Sequence, residues 1–331
     1  MSRTLVIGGT GAMGSRVVRR LLQTPDAEVT VFTRDPSSPG AGKILDLDRD
    51  RVRLVAGDLN VPESVTAAMG DVDRVFCNTD FFGNGSVLAE HRQGIAVLEA
   101  ARAASVEKFI WSSLDHAAVL TAGNTPVPHY DAKASVAAHI GTLRSEELMQ
   151  RDADAWFTDH VSILTTSSYF ENLQSRLTPE PGVLPDGRDG LVFTLPLGTG
   201  KYPLIGLDDI AWFAGFVFDH WQDWGSRDLA ITADSLTGHE IAETFERVTG
   251  TPSGYQPLSL TTLESSMPVA GHDFAAMFRF FQERDVFQLD RDVALLRRIH
   301  PKMMTFEDWL RTTEWDGSRQ DVQKFPLRPR R

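Results

Sequence analysis

The run Gly8-Gly-Thr-Gly-Ala-Met-Gly14 constrains this chain more than any other feature of it. It comes straight after the apolar stretch Thr4-Leu-Val-Ile7 and opens a segment with amphipathic helical spacing through about Leu22. A glycine triplet set between a strand and a helix has the context of a dinucleotide-binding turn, which the same triplet elsewhere lacks. Gly8 permits the tight turn, Gly11 keeps a Cβ out of the path of a pyrophosphate, and Gly14 lets helix and strand pack closely. The amino end of the helix then offers N–H donors and the positive end of its dipole.

Strand and helix signals keep alternating beyond that turn. Glu28-Val-Thr-Val-Phe32 completes a βαβ unit; Val52-Arg-Leu-Val55, a helix from Pro62 to Met69 and Arg74-Val-Phe-Cys77 extend it. A helix from about Val87 to Ala104 leads to Lys108-Phe-Ile-Trp111, and another from about His129 to His139 leads through an irregular stretch to Val161-Ser-Ile-Leu164. Several of these strands are continuous apolar runs, as parallel strands covered on both faces are. The pattern predicts an α/β fold, a Rossmann-type doubly wound parallel sheet over residues 1–168. A chain of 331 residues exceeds the roughly 250–300 that one core sustains, so a second, smaller α/β C-terminal substrate lobe is expected over 169–320, able to exchange segments with the first. Pro179, Pro181, Pro185, Pro196 and Pro203 break up its start. Helices are expected at Asp208 to Trp221, Thr237 to Thr249, Asp273 to Glu283, Asp290 to Ile299 and Thr305 to Thr312, with Asp290 and Thr305 as N-caps. Phe274, Met277, Phe278 and Phe281 read as a packing stripe. Residues 321–331 form a tail whose basic end, Phe325-Pro-Leu-Arg-Pro-Arg-Arg331, is expected to trail over the surface.

Composition excludes several functions. A net charge of −12 opposes polyanions, so no nucleic acid is expected as a partner. The single cysteine, Cys77, rules out an internal disulfide framework and a thiolate zinc site. His116, His160, His272 and His300 have no metal-ligand spacing, so no metal is expected. The start of the chain lacks the apolar core of a signal peptide, and no apolar run approaches the ~20 residues of a membrane span. The expected location is cytoplasmic, away from membranes.

The second strand ends Phe32-Thr33-Arg34, where an NAD-preferring site carries an acidic residue for the ribose hydroxyls. A guanidinium there can pair bidentately with a 2′-phosphate, and Ser37 and Ser38 add hydroxyl donors, so NADP(H) is favoured as cofactor. Asp35, next in the chain, argues in the other direction. Asp58, just after the third strand, either receives the adenine amino group or caps a helix.

These residues are part of a pattern that resembles the NmrA-like family of atypical short-chain dehydrogenase/reductases nearly end to end. The motifs are the glycine turn, Val31-Phe-Thr-Arg-Asp-Pro36, Gly57-Asp-Leu-Asn60, Arg92-Gln-Gly94, Trp111-Ser-Ser-Leu114, Val127-Pro-His-Tyr-Asp-Ala-Lys133, Ser168-Tyr-Phe-Glu-Asn-Leu173 and Phe274-Ala-Ala-Met-Phe-Arg-Phe280. The resemblance implies that Gly8, Thr10, Gly11, Ala12, Met13 and Gly14 hold the pyrophosphate, Arg34 the adenosine phosphate, Asp58 the adenine, and Asn78 and Thr79 the ribose region. It brings Arg92, Lys133, Tyr169 and Asn172 toward the ribose and nicotinamide. Two departures stand out. The chain is longer than the family's redox sensors around Gly141 to His160, a segment containing Arg144, Glu146, Glu147, Arg151, Asp152 and Asp154, and Ile163-Leu-Thr-Thr-Ser167 replaces the usual Arg-Leu/Pro turn. The longer segment is expected to cover the nicotinamide end as a lid, a solvated charged insertion being the alternative.

Typical short-chain dehydrogenases use Tyr-x-x-x-Lys, because a four-residue step puts phenol and ammonium side by side on a helix. Here His129 stands four before Lys133 and Tyr130 three before it. An imidazole can donate or take a proton near neutral pH, Lys133 can bind ribose hydroxyls, and Ser112 or Ser113 can orient a carbonyl. His129, Tyr130 and Lys133 are therefore the candidate catalytic residues. The expected function is an NADPH-dependent oxidoreductase acting on a small-molecule substrate. The alternatives are an NADP(H) redox sensor that binds a regulatory protein partner without turnover, and a non-redox isomerase or cyclase on the same fold.

Overall fold

The computed structural model describes residues 2–151 and 154–322; Asp152 and the Phe325–Arg331 tail lie outside the described residues. The elements run β1 (Ser2–Ile7), α1 (Ala12–Leu21), β2 (Ala27–Thr33), α2 (Pro39–Leu45), β3 (Val52–Ala56), α3 (Pro62–Ala68), β4 (Arg74–Cys77), α4 (Phe81–Asn84), α5 (Val87–Ala103), β5 (Lys108–Ser113), α6 (Ala117–Leu120), α7 (Pro128–Gln150), α8 (Trp156–Asp159), β6 (Val161–Thr165) and β7 (Ser168–Tyr169). They continue with a 3-10 turn (Phe170–Gln174), β8 (Glu180–Val183), β9 (Asp189–Phe193), β10 (Tyr202–Ile205), α9 (Leu207–Asp219), α10 (Trp221–Trp224), β11 (Leu229–Ala230) and β12 (Asp234–Leu236). The last are α11 (Gly238–Thr249), β13 (Ser253–Tyr255), α12 (Leu260–Ser266), α13 (Gly271–Glu283), α14 (Val286–Asp290), α15 (Val293–Ile299) and α16 (Phe306–Thr313).

These elements form two compact units: Met1–Asp115, His129–Thr165 and Ile210–Leu229 in the first, and His116–Pro128, Thr166–Asp209 and Ala230–Arg331 in the second. The first holds the expected Rossmann-type sheet, ordered β11-β6-β5-β4-β1-β2-β3, with parallel pairing from β6 through β3. Its central strands are apolar where helices cover both faces: Leu5, Val6, Val75, Phe76, Phe109, Ile110 and Trp111 are wholly buried. On α1, Met13, Val17, Val18 and Leu21 share the buried face, while Arg19 and Arg20 stand in its last turn, where cations suit the dipole. Helix starts follow local chemistry, with Ser38 accepting from Ala41 N–H at α2 and Ser86 from Ala89 N–H at α5. Gly94 brings α5 close, since a Cβ there would sit 2.7 Å from a Val136 methyl and 2.9 Å from the Trp111 ring.

The expected lid is not one. Helix α7 does not stop near His139 but runs 23 residues, which at 1.5 Å each is about 35 Å. That length carries it from the carboxyl ends of the strands to their amino ends. There Trp156 Nε1 donates to Val106 O (3.0 Å), His160 Nδ1 meets Glu107 O (2.7 Å), and Arg144 donates to Phe157 O (3.0 Å) and Val161 O (2.6 Å). Glu147, buried, accepts from Phe157 N–H and Thr158 N–H. All these partners lie just before or at the start of β5 and β6, opposite the glycine turn. The helix had no legible stripe because its buried positions mix Ala132, Val136 and Ile140 with His129, Lys133 and Glu147.

The second unit contains two small sheets, β12-β10-β7 and β13-β9-β8. Tyr202 of β10 packs on Phe278 and Phe281 of α13, so these two join the expected core stripe, whereas Phe274 lies under the Arg176 guanidinium at 5.2 Å. Thr305 caps α16 with Asp308 in a reciprocal pair, as expected of an N-cap. Asp290 does not cap: the expected helix is broken there, Asp290 ends α14 in an ion pair with Arg284 (2.6 Å), and Asp292 caps α15 instead.

Glu147→Ala removes charge-assisted hydrogen bonds worth about 1.5–3 kcal/mol each, so urea denaturation is expected to show a loss of about 2 kcal/mol or more. Dinucleotide affinity is expected to stay within about twofold, because Glu147 acts only at the amino end of the sheet. A large loss of affinity at unchanged stability would restore the lid.

Candidate dinucleotide site

The glycine turn has the geometry its sequence demands. Gly8 sits at φ +80°, and a Cβ on it would lie 2.3 Å from Asn78 O of the neighbouring β4 end. A Cβ on Gly14 would lie 2.2 Å from Gly8 O, so α1 can start this close to β1 only with glycine there. Gly9 is as confined, against Val31 at 2.7 Å, a role the triplet did not signal. Gly11 differs: a Cβ there would meet only Gly8 O, at 3.2 Å, and it is exposed at the N-cap of α1 without a capping side chain. Thr10 is likewise exposed, and Met13 turns its side chain inward, where its sulfur accepts from Ser112 Oγ at 3.4 Å. The exposed Thr10 and Gly11 and the uncapped helix end form a cradle of the kind that suits an anion.

Arg34 and Asp35 follow β2 beside this cradle. Asp35 is committed to its own turn, accepting from Ser37 N–H (2.9 Å) and Ser37 Oγ (2.5 Å), contacts that hold its carboxyl below the usual range. Ser38 Oγ donates to Asp35 O. Arg34 is 66% exposed and meets Asp80, 56% exposed, at 3.6 Å. Asp58 accepts from Asn60 N–H and Nδ2, both at 2.9 Å, in a local turn. Asn60 in turn accepts from buried Gln93, which also exchanges hydrogen bonds with Asn84. Gln93 thus ties the loop after β3 to α5; Arg92 beside it is exposed.

The four-residue step in α7 brings His129 and Lys133 onto the segment after β4. Lys133 Nζ donates to Asn78 Oδ1 (3.2 Å), Thr79 O (2.7 Å), Thr79 Oγ1 (3.0 Å) and Glu90 Oε1 (2.8 Å). An ammonium has three N–H bonds, so these four oxygens take its whole donor capacity. Thr79 Oγ1 donates to Glu90 Oε1 at 2.5 Å. The side chains of Lys133 and Glu90 are 10% and 0% exposed, and among the described residues Glu90 Oε2 is buried without a hydrogen-bond partner. Glu90 was not read from the sequence; its only signal was an acid in the first turn of α5, where a dipole role suffices. The buried thiol of Cys77 lies close enough to feel both charges, and burial pushes its pKa far up.

His129 is buried with its ring 4.8 Å from that of Tyr130, edge-on, and 5.3 and 6.0 Å from those of Phe82 and Phe81. Tyr130 is buried too. Ser112 and Ser113 are both buried, with Ser113 Oγ donating to Leu114 O. In the second unit, Tyr169 is half-buried in β7, and the Asn172 side chain hydrogen-bonds the Tyr202 hydroxyl. Glu171 between them accepts from Leu207 N–H and Trp309 Nε1, so part of this motif serves the packing of its own unit. Among the described residues, no group of three or more His, Cys, Asp or Glu is placed to hold a metal ion, and no helix is long and apolar enough to cross a membrane.

A parallel sheet of this order with a glycine cradle at the end of its first strand defines a Rossmann-type α/β protein. The chain belongs to the NmrA-like family, whose model matches residues 1–310. Among curated relatives, the NAD(P)H azoreductase of Xenophilus azovorans is 27% identical over 267 residues, covering 81% of each chain. Among solved structures, the Citrobacter sp. triphenylmethane reductase complexed with NADP(H) has a TM-score of 0.70 at 17% identity, covering 93% of this chain and 99% of its own. The negative transcriptional regulator NmrA in complex with NAD also has a TM-score of 0.70, at 16% identity, covering 96% and 99%.

Lys133→Met is expected to destabilise the fold by about 3–5 kcal/mol, because it strands the Glu90 charge in the interior. Adding Glu90→Gln is expected to recover much of that loss. Urea denaturation of the four members of this cycle measures both effects; a Lys133→Met loss that Glu90→Gln does not relieve would show that the pair is not what Lys133 stabilises.

Proposed function

We propose that this protein is an NADP(H)-dependent oxidoreductase acting on a small organic acceptor. The observation that carries the cofactor choice is Arg34, whose exposed guanidinium follows β2 where an NAD site would carry a carboxylate, while Asp35 is folded into its own turn. The turn from Gly8 to Gly14, exposed at Thr10 and Gly11, would take the pyrophosphate, with Thr10, Gly11, Ala12 and Met13 offering main-chain atoms. Arg34 would take the 2′-phosphate, Asp58 the adenine, and Asn78 and Thr79 the ribose region, with Arg92 a further contact. The family membership and the names of relatives that use NAD(P)H support this assignment. When bound, the cofactor supplies a hydride.

The chain's own residues then have separate tasks. Lys133 acts through position: it holds the Asn78–Thr79 turn in place, with Glu90 balancing its charge. His129 is the proton donor of this reading, next to Tyr130 on the same helix. A second reading, a sensor that binds the dinucleotide and changes its affinity for a regulatory protein, is favoured by the full commitment of Lys133 to protein oxygens.

NADPH is expected to bind about tenfold or more tightly than NADH, since a charge-assisted contact is worth ~1.5–3 kcal/mol, and Arg34→Ala is expected to remove most of the difference. Calorimetry showing equal affinities would overturn the NADP(H) assignment. Oxidation of NADPH with an azo or a triphenylmethane dye as acceptor is expected, and His129→Ala is expected to lower kcat by about 10²-fold or more with little change in cofactor affinity. Tight binding without turnover on any acceptor would favour the sensor.

A further inference from the structure

In the sheet order, β2 and β4 lie on either side of β1. Arg34 comes directly after the last residue of β2, and Asp80 comes three residues after the last residue of β4. Adjacent strands are about 4.8 Å apart, so an ion pair between these two positions spans roughly 10 Å and passes over the carboxyl end of β1, where the glycine turn begins. The two groups meet at 3.6 Å. Asp80 is held from below: Oδ1 accepts from Gly83 N–H at 3.0 Å as the N-cap of α4, and Gly83 leaves room for Oδ2, which a Cβ would approach at 2.3 Å. Asp35, the acid next to Arg34 in sequence, is turned to Ser37 and leaves the guanidinium to Asp80.

We propose that Asp80 is a specificity-determining residue that competes with an adenosine 2′-phosphate for Arg34 and thereby moderates the preference for NADP(H) over NAD(H). The proposal rests on the NADP(H) reading above and deepens it. A 2′-phosphate that pairs with Arg34 must take the guanidinium from Asp80 and then lie near a carboxylate of its own sign. NAD(H), with a hydroxyl at that position, leaves the Arg34–Asp80 pair intact and bears neither penalty. Both side chains are more than half exposed, so the penalty is moderate and depends on salt. A phosphate still wins the competition, because its bidentate, doubly charged contact with a guanidinium is stronger than a single exposed contact to a carboxylate.

The test is Asp80→Asn, which removes the charge while its amide oxygen still accepts from Gly83 N–H, since Asn caps helices as well as Asp does. Dissociation constants for NADPH and NADH are measured by calorimetry at low and high salt for wild type, Asp80→Asn, Arg34→Ala and the double variant. Asp80→Asn is expected to tighten NADPH about three- to fivefold at low salt and NADH by less than about twofold, with the gap shrinking at high salt. On the Arg34→Ala background the same change is expected to leave the ratio of the two affinities unaltered within about twofold. Equal shifts for both dinucleotides, or weaker NADPH binding in Asp80→Asn, overturn the proposal; the second outcome would make Asp80 a ligand of ribose hydroxyls. A wild-type preference for NADPH that Asp80→Asn leaves unchanged overturns this proposal alone, whereas wild-type protein that binds neither dinucleotide overturns the NADP(H) reading along with it.

Discussion

The close approach of Gly8 to the main chain of Asn78 is the constraint on which the first unit's carboxyl edge depends. A side chain at residue 8 would collide with Asn78 O, so β1 and β4 end at the same level only because the turn between β1 and α1 is made of glycine at that point. Asn78 then passes the constraint on. Its side chain accepts from Lys133, whose ammonium also binds Thr79 and is neutralised by Glu90. One contact in the first βα turn is thereby linked, through the end of β4, to α7 and α5. Burying an ion pair costs desolvation of both charges, and such a pair gains little over apolar packing unless its geometry is also needed. Here the geometry fixes the Asn78–Thr79 segment at the end of β4.

Parallel topology divides labour between the two ends of this sheet. At the carboxyl ends the chain makes tight turns with exposed backbone: Thr10, Gly11 and Arg34 are open to solvent, and Asn78 is only partly covered. At the amino ends α7 and α8 bury Trp156, Phe157 and Glu147 against the starts of β5 and β6. The segment after His139 therefore adds packing and hydrogen bonds at the amino ends of the strands. Loops at strand carboxyl ends line ligand crevices in open α/β sheets, and the amino ends are free to be used for stability.

What was legible in the sequence follows from the range of the interactions involved. The strands and the glycine turn were readable because each shows itself in adjacent residues: apolar runs for buried strands, and glycines set directly between a strand and a helix. Thr305 was readable as a cap for the same reason, its partner Asp308 being three residues away. Asp290 misled because a carboxylate before an apolar run is an N-cap only if nothing else claims it, and Arg284 does. The length of α7 was hidden because its buried residues include charges with partners far off in sequence, so the helix shows no apolar period. Glu90 and Asp80 were missed for the same physical reason. Each meets its cation across more than 40 positions of chain, and only strand order brings the partners together.

The pairing of Lys133 also bears on how the step from Tyr-x-x-x-Lys to His-x-x-x-Lys should be read. In the former pattern the ammonium can act on a phenol one turn away, lowering its pKa so that it gives up a proton more readily. Free imidazole, by contrast, ionises near neutrality without such help. A cation beside it would oppose its protonated form and weaken it as a proton carrier. With its donors directed at Asn78, Thr79 and Glu90, Lys133 has its charge balanced by a buried carboxylate. A chain that kept His129 but lost Glu90 would carry an uncompensated buried ammonium one helical turn from its imidazole.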